Sequence, residues 1–343
     1  MDFQLMLGVD MSKDWFHVCI MNKKLVILLE QQVKNDRSSI AAFISQLKKE
    51  FGVEELSSLY MVMEHTGIYV SHLVKGWLSQ GGRLSLVAAN KISEHLGLRP
   101  GQEEKTDQLD ARRIAEYGCR YADKLECYQA KSMTMKYLQR LQRQREQLVD
   151  TRTRLTNPLR ESQRFDEAPL HALMAGNIDG LLKELNESIK RIEQQIKQLI
   201  RQDEGLKELF ERISSVVGIG LITATELLIA TNGFMDFRPN QAKAFARYAG
   251  CVPQRRQSGK KNRKAKASKR ANQRIKKLLT TAACAALKTK SELRLYYDRK
   301  HKQGKPHLVI INALRNKLIH RLFAVVRNQV MYQRNLNLCL QQP

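Results

Sequence analysis

Along the first third of the chain, apolar positions fall into short runs of strand length separated by turn-forming breaks. FQLMLGVDM and FHVCIMN are two such runs, with a Ser/Lys/Asp-containing break between them, and KKLVILLEQQV reads as a third strand. RSSIAAFISQLKKEFG then changes period: Ile40, Phe43, Ile44 and Leu47 recur at helical spacing. LYMVMEHTG predicts a strand ending in a turn, YVSHLVKGWLSQGG a helix with a glycine stop, and RLSLVAAN a further strand. A helix over KTDQLDARRIAEYG follows. The order β-β-β-α-β-α-β-α predicts a mixed sheet flanked by helices over residues 1–130.

From 131 to 210 the pattern is helical and close to heptad. Leu182, Leu185, Ile189, Ile192, Ile196 and Leu199 recur at alternating steps of three and four, which places them on one seam. Leu138, Leu141, Leu148 and Leu155 follow the same rule upstream, with Arg145 and Arg152 at the skipped positions. Pro158, Pro169 and Gly176 lie between the two stretches, so the expectation is an antiparallel helical hairpin or a dimerising coiled coil, acting as a spacer. Residues 211–343 are helical again. They open with ISSVVGIGLITATELL, whose Gly-x-Gly between apolar helices is similar to a helix-hairpin-helix turn, with backbone N–H groups available to a phosphate.

Charge changes the picture. The net charge is +25, with Lys and Arg 59 against Asp and Glu 34, and this predicts a polyanionic partner. The excess is segregated. Residues 1–130 balance to −1 and residues 131–210 to +3, whereas residues 211–343 carry +23. Between Pro253 and Lys277 there are twelve Lys/Arg and no acid, a run that reads as a phosphate-binding loop inside a helical domain. Arg255, Arg256, Lys260, Lys261, Arg263, Lys264, Lys266, Lys269, Arg270 and Arg274 are its candidate nucleic-acid contacts. No stretch approaches the ~20 apolar residues of a membrane span, so no membrane partner is expected. The six scattered cysteines lack a CxxC pair and suit buried thiols in a reducing cytosol.

The candidate chemistry lies in the acids of the first region. Asp10 ends the apolar strand LMLGVD and Glu64 ends YMVME. A carboxylate buried without a partner is costly, and a bound cation removes the difficulty. Asp107 and Asp110 stand three apart at the start of a predicted helix, on one face and at its positive end. Capping alone would explain that pair. The ordered set Asp…Glu…Asp-x-x-Asp across a mixed sheet matches the oxygen shell of two Mg²⁺ or Mn²⁺ ions, which in phosphodiester cleavage serve the nucleophile and the leaving oxygen.

GVDMSKDWFHV, MEHTGIY and KTDQLDARRIA resemble the three acidic motifs of the DEDD insertion-sequence transposases of the IS110 family, related to Piv/MooV invertases and described as bridge-RNA-guided recombinases. VVGIGLITATELL, FARYAGCVPQRRQSGKK, SKRANQRIKKLL and LRLYYDRKHKQGKPHLVIINALRNKL resemble that family's C-terminal transposase domain in order and spacing. The resemblance spans almost the whole chain. It implies a ribonuclease H-like (RuvC-like) domain over 1–130, a coiled-coil hairpin over 131–210 and a basic helical transposase domain over 211–343. It carries the acidic tetrad to Asp10, Glu64, Asp107 and Asp110, as catalytic residues and metal ligands. It also implies a C-terminal serine nucleophile, for which Ser258 in QRRQSGKK is the first candidate and Ser268 the second. The implied partners are target and donor DNA, an element-encoded guide RNA and further copies of the chain in a dimer or tetramer, where the tetrad of one subunit meets the serine of another. Tyr296 and Tyr297, adjacent on a helical pattern, are an alternative nucleophile, but core packing explains them better. Two other classes stay open: a Holliday-junction nuclease using water, and a nucleic-acid-binding scaffold without chemistry.

Overall fold

The computed structural model describes residues 4–52, 56–64, 67–88, 91–93, 106–252, 254–258, 261–266 and 271–333, with 254–258 and 261–266 as backbone. The chain divides into two compact units, Met1–Ala130 and Lys131–Pro343.

The first unit is built on a five-stranded sheet. β1 (Leu5–Met11), β2 (Trp15–Asn22) and β3 (Ile27–Lys34) form an antiparallel meander, while β4 (Leu59–Glu64) and β5 (Arg83–Val87) run parallel to β1. The order is β3-β2-β1-β4-β5. This is the ribonuclease H-like arrangement. The strands are joined or covered by α1 (Arg37–Glu50), α2 (Ser71–Ser79) and α3 (Asp107–Arg120). Strand periodicity divides the sheet into two faces. Leu7, Val9, Phe16, Val18, Ile20, Met61 and Met63 pack with Ile40, Phe43, Leu47, Leu73 and Trp77 of α1 and α2. The alternate residues meet α3: Met6, Tyr60 and Val62 pack with Ile114 and Tyr117, and Cys19 and Met21 with Ala111 and Ala115. A strand covered on both sides reads as a continuous apolar run, which is why β1 and β4 carry so few polar residues.

The second unit is helical. α4 (Met133–Phe165) and α5 (Ala168–Gln202) form the hairpin. Its turn falls at residues 166–167, not at the proline or glycine breaks. Pro158 is inside α4, and Pro169 occupies the first turn of α5, where a missing N–H costs nothing. The arginines at the skipped seam positions are satisfied across the hairpin: Arg145 Nε donates to Glu193 Oε1 at 2.7 Å and Arg152 Nη1 to Asn186 Oδ1 at 2.8 Å. The hairpin is not separate from the rest of the unit. Met135, Leu138, Ile192, Ile196 and Ile200 share one core with residues of α6 (Glu204–Ser214), α7 (Leu221–Thr231), α8 (Ala242–Tyr248), α9 (Gln273–Leu287), α10 (Glu292–Lys302) and α11 (His307–Asn328). Gly218, in the turn between α6 and α7, has φ +89°, and a Cβ there would strike the Ala282 carbonyl. The basic run contains a ribbon where a loop is expected. β6 (Gln254–Ser258) pairs antiparallel with β7 (Lys261–Lys266), Ser258 opposite Lys261. Among the described residues, no helix is long and apolar enough to cross a membrane.

Candidate active site

Register brings three elements to one place. Asp10 stands opposite His17 in the β1–β2 pair, and Val9 opposite Met63 in the β1–β4 pair, so Asp10 and Glu64 end neighbouring strands. With Met6 and Gly8, Asp10 belongs to the α3 side of β1. Tyr60 and Val62 put Glu64 on the same side of β4, and Cys19 and Met21 do so for His17. Over this face lies the N-terminal turn of α3. Thr106 caps it, accepting from the Leu109 N–H at 3.3 Å, and Asp107 and Asp110 occupy the first turn.

Two glycines let the helix come this close. A Cβ on Gly8 would collide with the Ala111 carbonyl and the Ala115 backbone, and one on Gly118 would lie 2.7 Å from Met6 Sδ. The helix therefore rests on the backbone of β1 with no side-chain layer between them. At its outer side Arg112 forms a two-pronged ion pair with Glu30 of β3, and Gln108 Nε2 donates to Glu30 Oε2 at 3.1 Å. That pairing holds the Glu30 carboxyl below the usual carboxylate range, the Arg112 hydrogen bond being the largest cause.

The electrostatics are those of crowded like charges. Burial pushes the Asp10 carboxyl up to about 6, and the charges of Asp107, Asp110 and Glu64 add to the effect, against one opposing hydrogen bond from the Met11 backbone. The carboxylates of the helix turn to local partners. Asp107 Oδ2 is 3.8 Å from His17 Nδ1, and Arg113 Nη1 donates to Asp110 Oδ1 at 3.0 Å. Among the described residues, no three of His, Cys, Asp or Glu are gathered tightly enough to grip an ion as they stand. The donor set is nevertheless all carboxylate oxygen, with a surplus of negative charge, and this chemistry fits hard divalent cations.

The basic candidates divide. Arg255 and Arg256 lie on β6, and Lys261, Arg263, Lys264 and Lys266 on β7, with Ser258 at the end of β6. Lys260, Ser268, Lys269 and Arg270 lie outside the described residues. Arg274 has a different setting from the expected phosphate contact. Its guanidinium bridges Glu146 Oε2 at 3.0 Å and Glu226 Oε2 at 3.1 Å. Glu226 is nearly buried, and that burial raises its carboxyl above the ordinary value even with Arg274 beside it. Tyr297 Oη lies 2.8 Å from His307 Nδ1, and Tyr296 and Tyr297 pack at the edge of the helical core. Three features of the site carried no motif in the sequence: His17, the Glu30–Arg112 pair and the glycine contacts. All become visible once the strand register is known.

Two family profiles match the chain. One, described as a transposase with the DEDD motif of IS110, covers residues 7–162, and so spans all four acids; the other, described as transposase IS116/IS110/IS902 family, covers residues 210–298. The chain belongs to the IS110 family of transposases. Pilin gene-inverting proteins of Moraxella bovis and Moraxella lacunata are each 27% identical to this IS110-family transposase over 290 residues, 82% of its length and 84% of theirs. The transposase of insertion sequence IS1111A from Coxiella burnetii is 24% identical over 309 residues, 82% of this chain and 78% of that one. Among solved structures, Thermus thermophilus RuvC with a Holliday junction substrate aligns at a TM-score of 0.29 and 12% identity, over 36% of this chain and 99% of that one. The ribonuclease H-like assignment rests on the strand order. IS110-family transposases are DNA cleavage and recombination enzymes, and nuclease folds of the DEDD type typically use divalent metals.

Proposed function

We propose that this transposase cuts and exchanges DNA strands with Asp10, Glu64, Asp107 and Asp110 as the ligands of two Mg²⁺ ions and Ser258 as the nucleophile. The observation that supports the reading most is the convergence of Asp10, Glu64 and the first turn of α3 on one sheet face, within a region matched to the DEDD transposases. Bound there, divalent cations would neutralise the acidic cluster and stabilise charge on the scissile phosphate. The rest falls to the chain. The Ser258 hydroxyl attacks the phosphorus; a serine–phosphate ester forms as one strand P–O bond breaks; the serine proton is lost to a neighbouring base or solvent, and the departing oxygen leaves as a strand-end hydroxyl once it takes a proton. The ester keeps the energy of the broken bond for rejoining an exchanged strand. Cations of β6 and β7 hold the phosphates, and His17 orients Asp107. By the same family resemblance, an element-encoded RNA pairs with target and donor DNA and supplies sequence specificity in a homo-oligomer.

The test is to incubate the protein with Mg²⁺, the element's end RNA and a labelled target–donor DNA pair, and to look for protein–DNA adduct on a denaturing gel. Wild type is expected to form adduct, and Ser258→Ala and Asp10→Asn to form none. Adduct surviving in Ser258→Ala moves the nucleophile elsewhere, first to Ser268. Cleavage with no adduct makes water the nucleophile and the chain a junction nuclease.

A further inference from the structure

The basic run is not one block of free charge. Arg274, inside it, is neutralised by Glu146 and Glu226. Lys276, two residues on, is not. Among the described residues it has no acidic partner, and the same holds for Arg315 on α11. The parts of the second unit outside the described residues contain no Asp or Glu. Both cations are partly exposed, and they reach one place, the root of the ribbon. Its two feet, Tyr248–Cys251 before β6 and Ala271–Asn272 after β7, are fastened together. The Asn272 N–H donates to the Tyr248 carbonyl at 2.9 Å, and Asn272 Nδ2 to Tyr248 Oη at 2.9 Å. Gly250 has φ +65°, and a Cβ on it would stand 2.5 Å from the Ala271 Cβ.

Lys276 arrives from α9, its Cδ 3.8 Å from that same Cβ position on Gly250. Arg315 arrives from α11 through Asn312, which donates from Nδ2 to the Cys251 carbonyl at 2.9 Å and accepts from Arg315 Nη1 at 3.4 Å. The Cys251 thiol feels both charges: burial pushes it up to about 11, and Arg315 and Lys276 pull it the other way. Arg315 is also under-bonded. A guanidinium is a fork of N–H donors, yet Nη1 has one long bond and Nε is shielded from solvent with no partner. Two unneutralised cations converging on one stretch of chain repel each other until an anion joins them. A fork beside a point charge suits phosphate oxygens. A free inorganic anion would neutralise the pair but leave the Lys and Arg of β6 and β7 without counter-charge. A nucleic-acid strand brings further phosphates to them.

We propose that Lys276 and Arg315 form a phosphate site at the root of the β6–β7 ribbon, gripping one backbone phosphate of the nucleic-acid strand that the ribbon engages. The ribbon's own cations ride on two strands, whereas this pair rides on helices of the core. The site therefore registers the strand to the helical core as well as to the ribbon. The inference rests on the reading above that the ribbon engages nucleic acid, and is independent of which group attacks the phosphorus.

The experiment titrates the full chain in EDTA, across a salt series, with a paired DNA duplex and separately with the element's end RNA. The double variant Lys276→Gln/Arg315→Gln is compared with wild type and with the charge-preserving Lys276→Arg/Arg315→Lys. Circular dichroism melting checks that the helical unit is folded, and Lys276→Gln singly carries the test where the double variant does not fold. Losing one phosphate contact is expected to lower the slope of log K against log salt by about 0.9 for duplex DNA, or ~0.7 for a single strand. The charge-preserving variant is expected to keep the wild-type slope. A fall with one probe supports the site and names that nucleic acid as the source of the phosphate. An unchanged slope with both probes in a folded charge-removing variant would overturn it. An equal fall in the charge-preserving variant would overturn it too, because the pair would then be structural. Wild type binding neither probe would sink the ribbon reading itself, whereas binding with an unchanged slope sinks the phosphate site and leaves that reading standing.

Discussion

Replacing Asp10 by Asn should make the metal-free protein more stable while abolishing its chemistry. The Asp10 carboxyl is raised from 3.8 to about 6, first by burial and then by three neighbouring carboxylates. A raised value means that the fold disfavours the ionised form. The stability contribution is fully present below the unfolded value and is lost as pH rises through about 6. A shift of roughly two units is worth at most about 3 kcal/mol at 1.36 kcal/mol each. Asp10 keeps part of its surface in water, and screening reduces the figure to about 1–2 kcal/mol. For a unit of this size that corresponds to about 4–8 °C in Tm. Both tryptophans, Trp15 and Trp77, lie in the first unit, so tryptophan fluorescence follows its melting alone. In EDTA above pH 7, Asp10→Asn should melt higher than wild type by that amount, and the gap should shrink towards nil near pH 4. In Mg²⁺ the order should reverse, because wild type gains ligand stabilisation that the variant cannot. A variant that melts at or below wild type in EDTA at neutral pH, or a gap that does not change with pH, would refute the electrostatic reasoning.

Other substitutions probe the rest of the scaffold. Gly8→Ala forces α3 off β1 and should cost at least about 1–3 kcal/mol, read by the same fluorescence melt, with strand cleavage lost alongside. Arg274→Ala leaves Glu226 buried without its partner and should destabilise the second unit by about 3–5 kcal/mol in urea unfolding, while leaving the salt slope of DNA binding unchanged. Glu30→Gln weakens the Arg112 pair that steadies α3, the helix carrying Asp107 and Asp110, and on the proposed reading should lower the cleavage rate more than the DNA affinity. Lys264→Ser should weaken DNA binding nearly equally across sequences and reduce the salt slope by about one, checked by titration at several salt concentrations.

Asp10 and Glu64 were legible in the sequence because a polar residue ending an apolar strand conflicts with burial, and local pattern exposes such conflicts. Their shared face follows from strand period two. Asp107 and Asp110 were legible as a pair one helical turn apart. His17 was not, since it sits inside an apolar run and acquires meaning only from its register opposite Asp10. Gly8 and Gly118 looked like ordinary small residues until the helix that presses on them was in place. Pro158 read as a break, but α4 absorbs it, because packing against α5 outweighs one missing hydrogen bond. Arg274 read as one more cation in a basic run; its partners Glu146 and Glu226 are distant in sequence and meet it only through the helical core. The ribbon of β6 and β7 had no apolar alternation to announce it, and its pairing is carried by the backbone.

The backbone contact between Gly8 and α3 joins residues over a hundred positions apart. Half of the acids ride on that helix and half on the first and fourth strands. During synthesis, then, the strands leave the ribosome before that helix does, and a chain that ends before α3 has two of the four carboxylates. On the reading proposed above, a copy that ends before α3 lacks two of the acids and Ser258 as well, so the parts of the cutting site are spread over both ends of the chain.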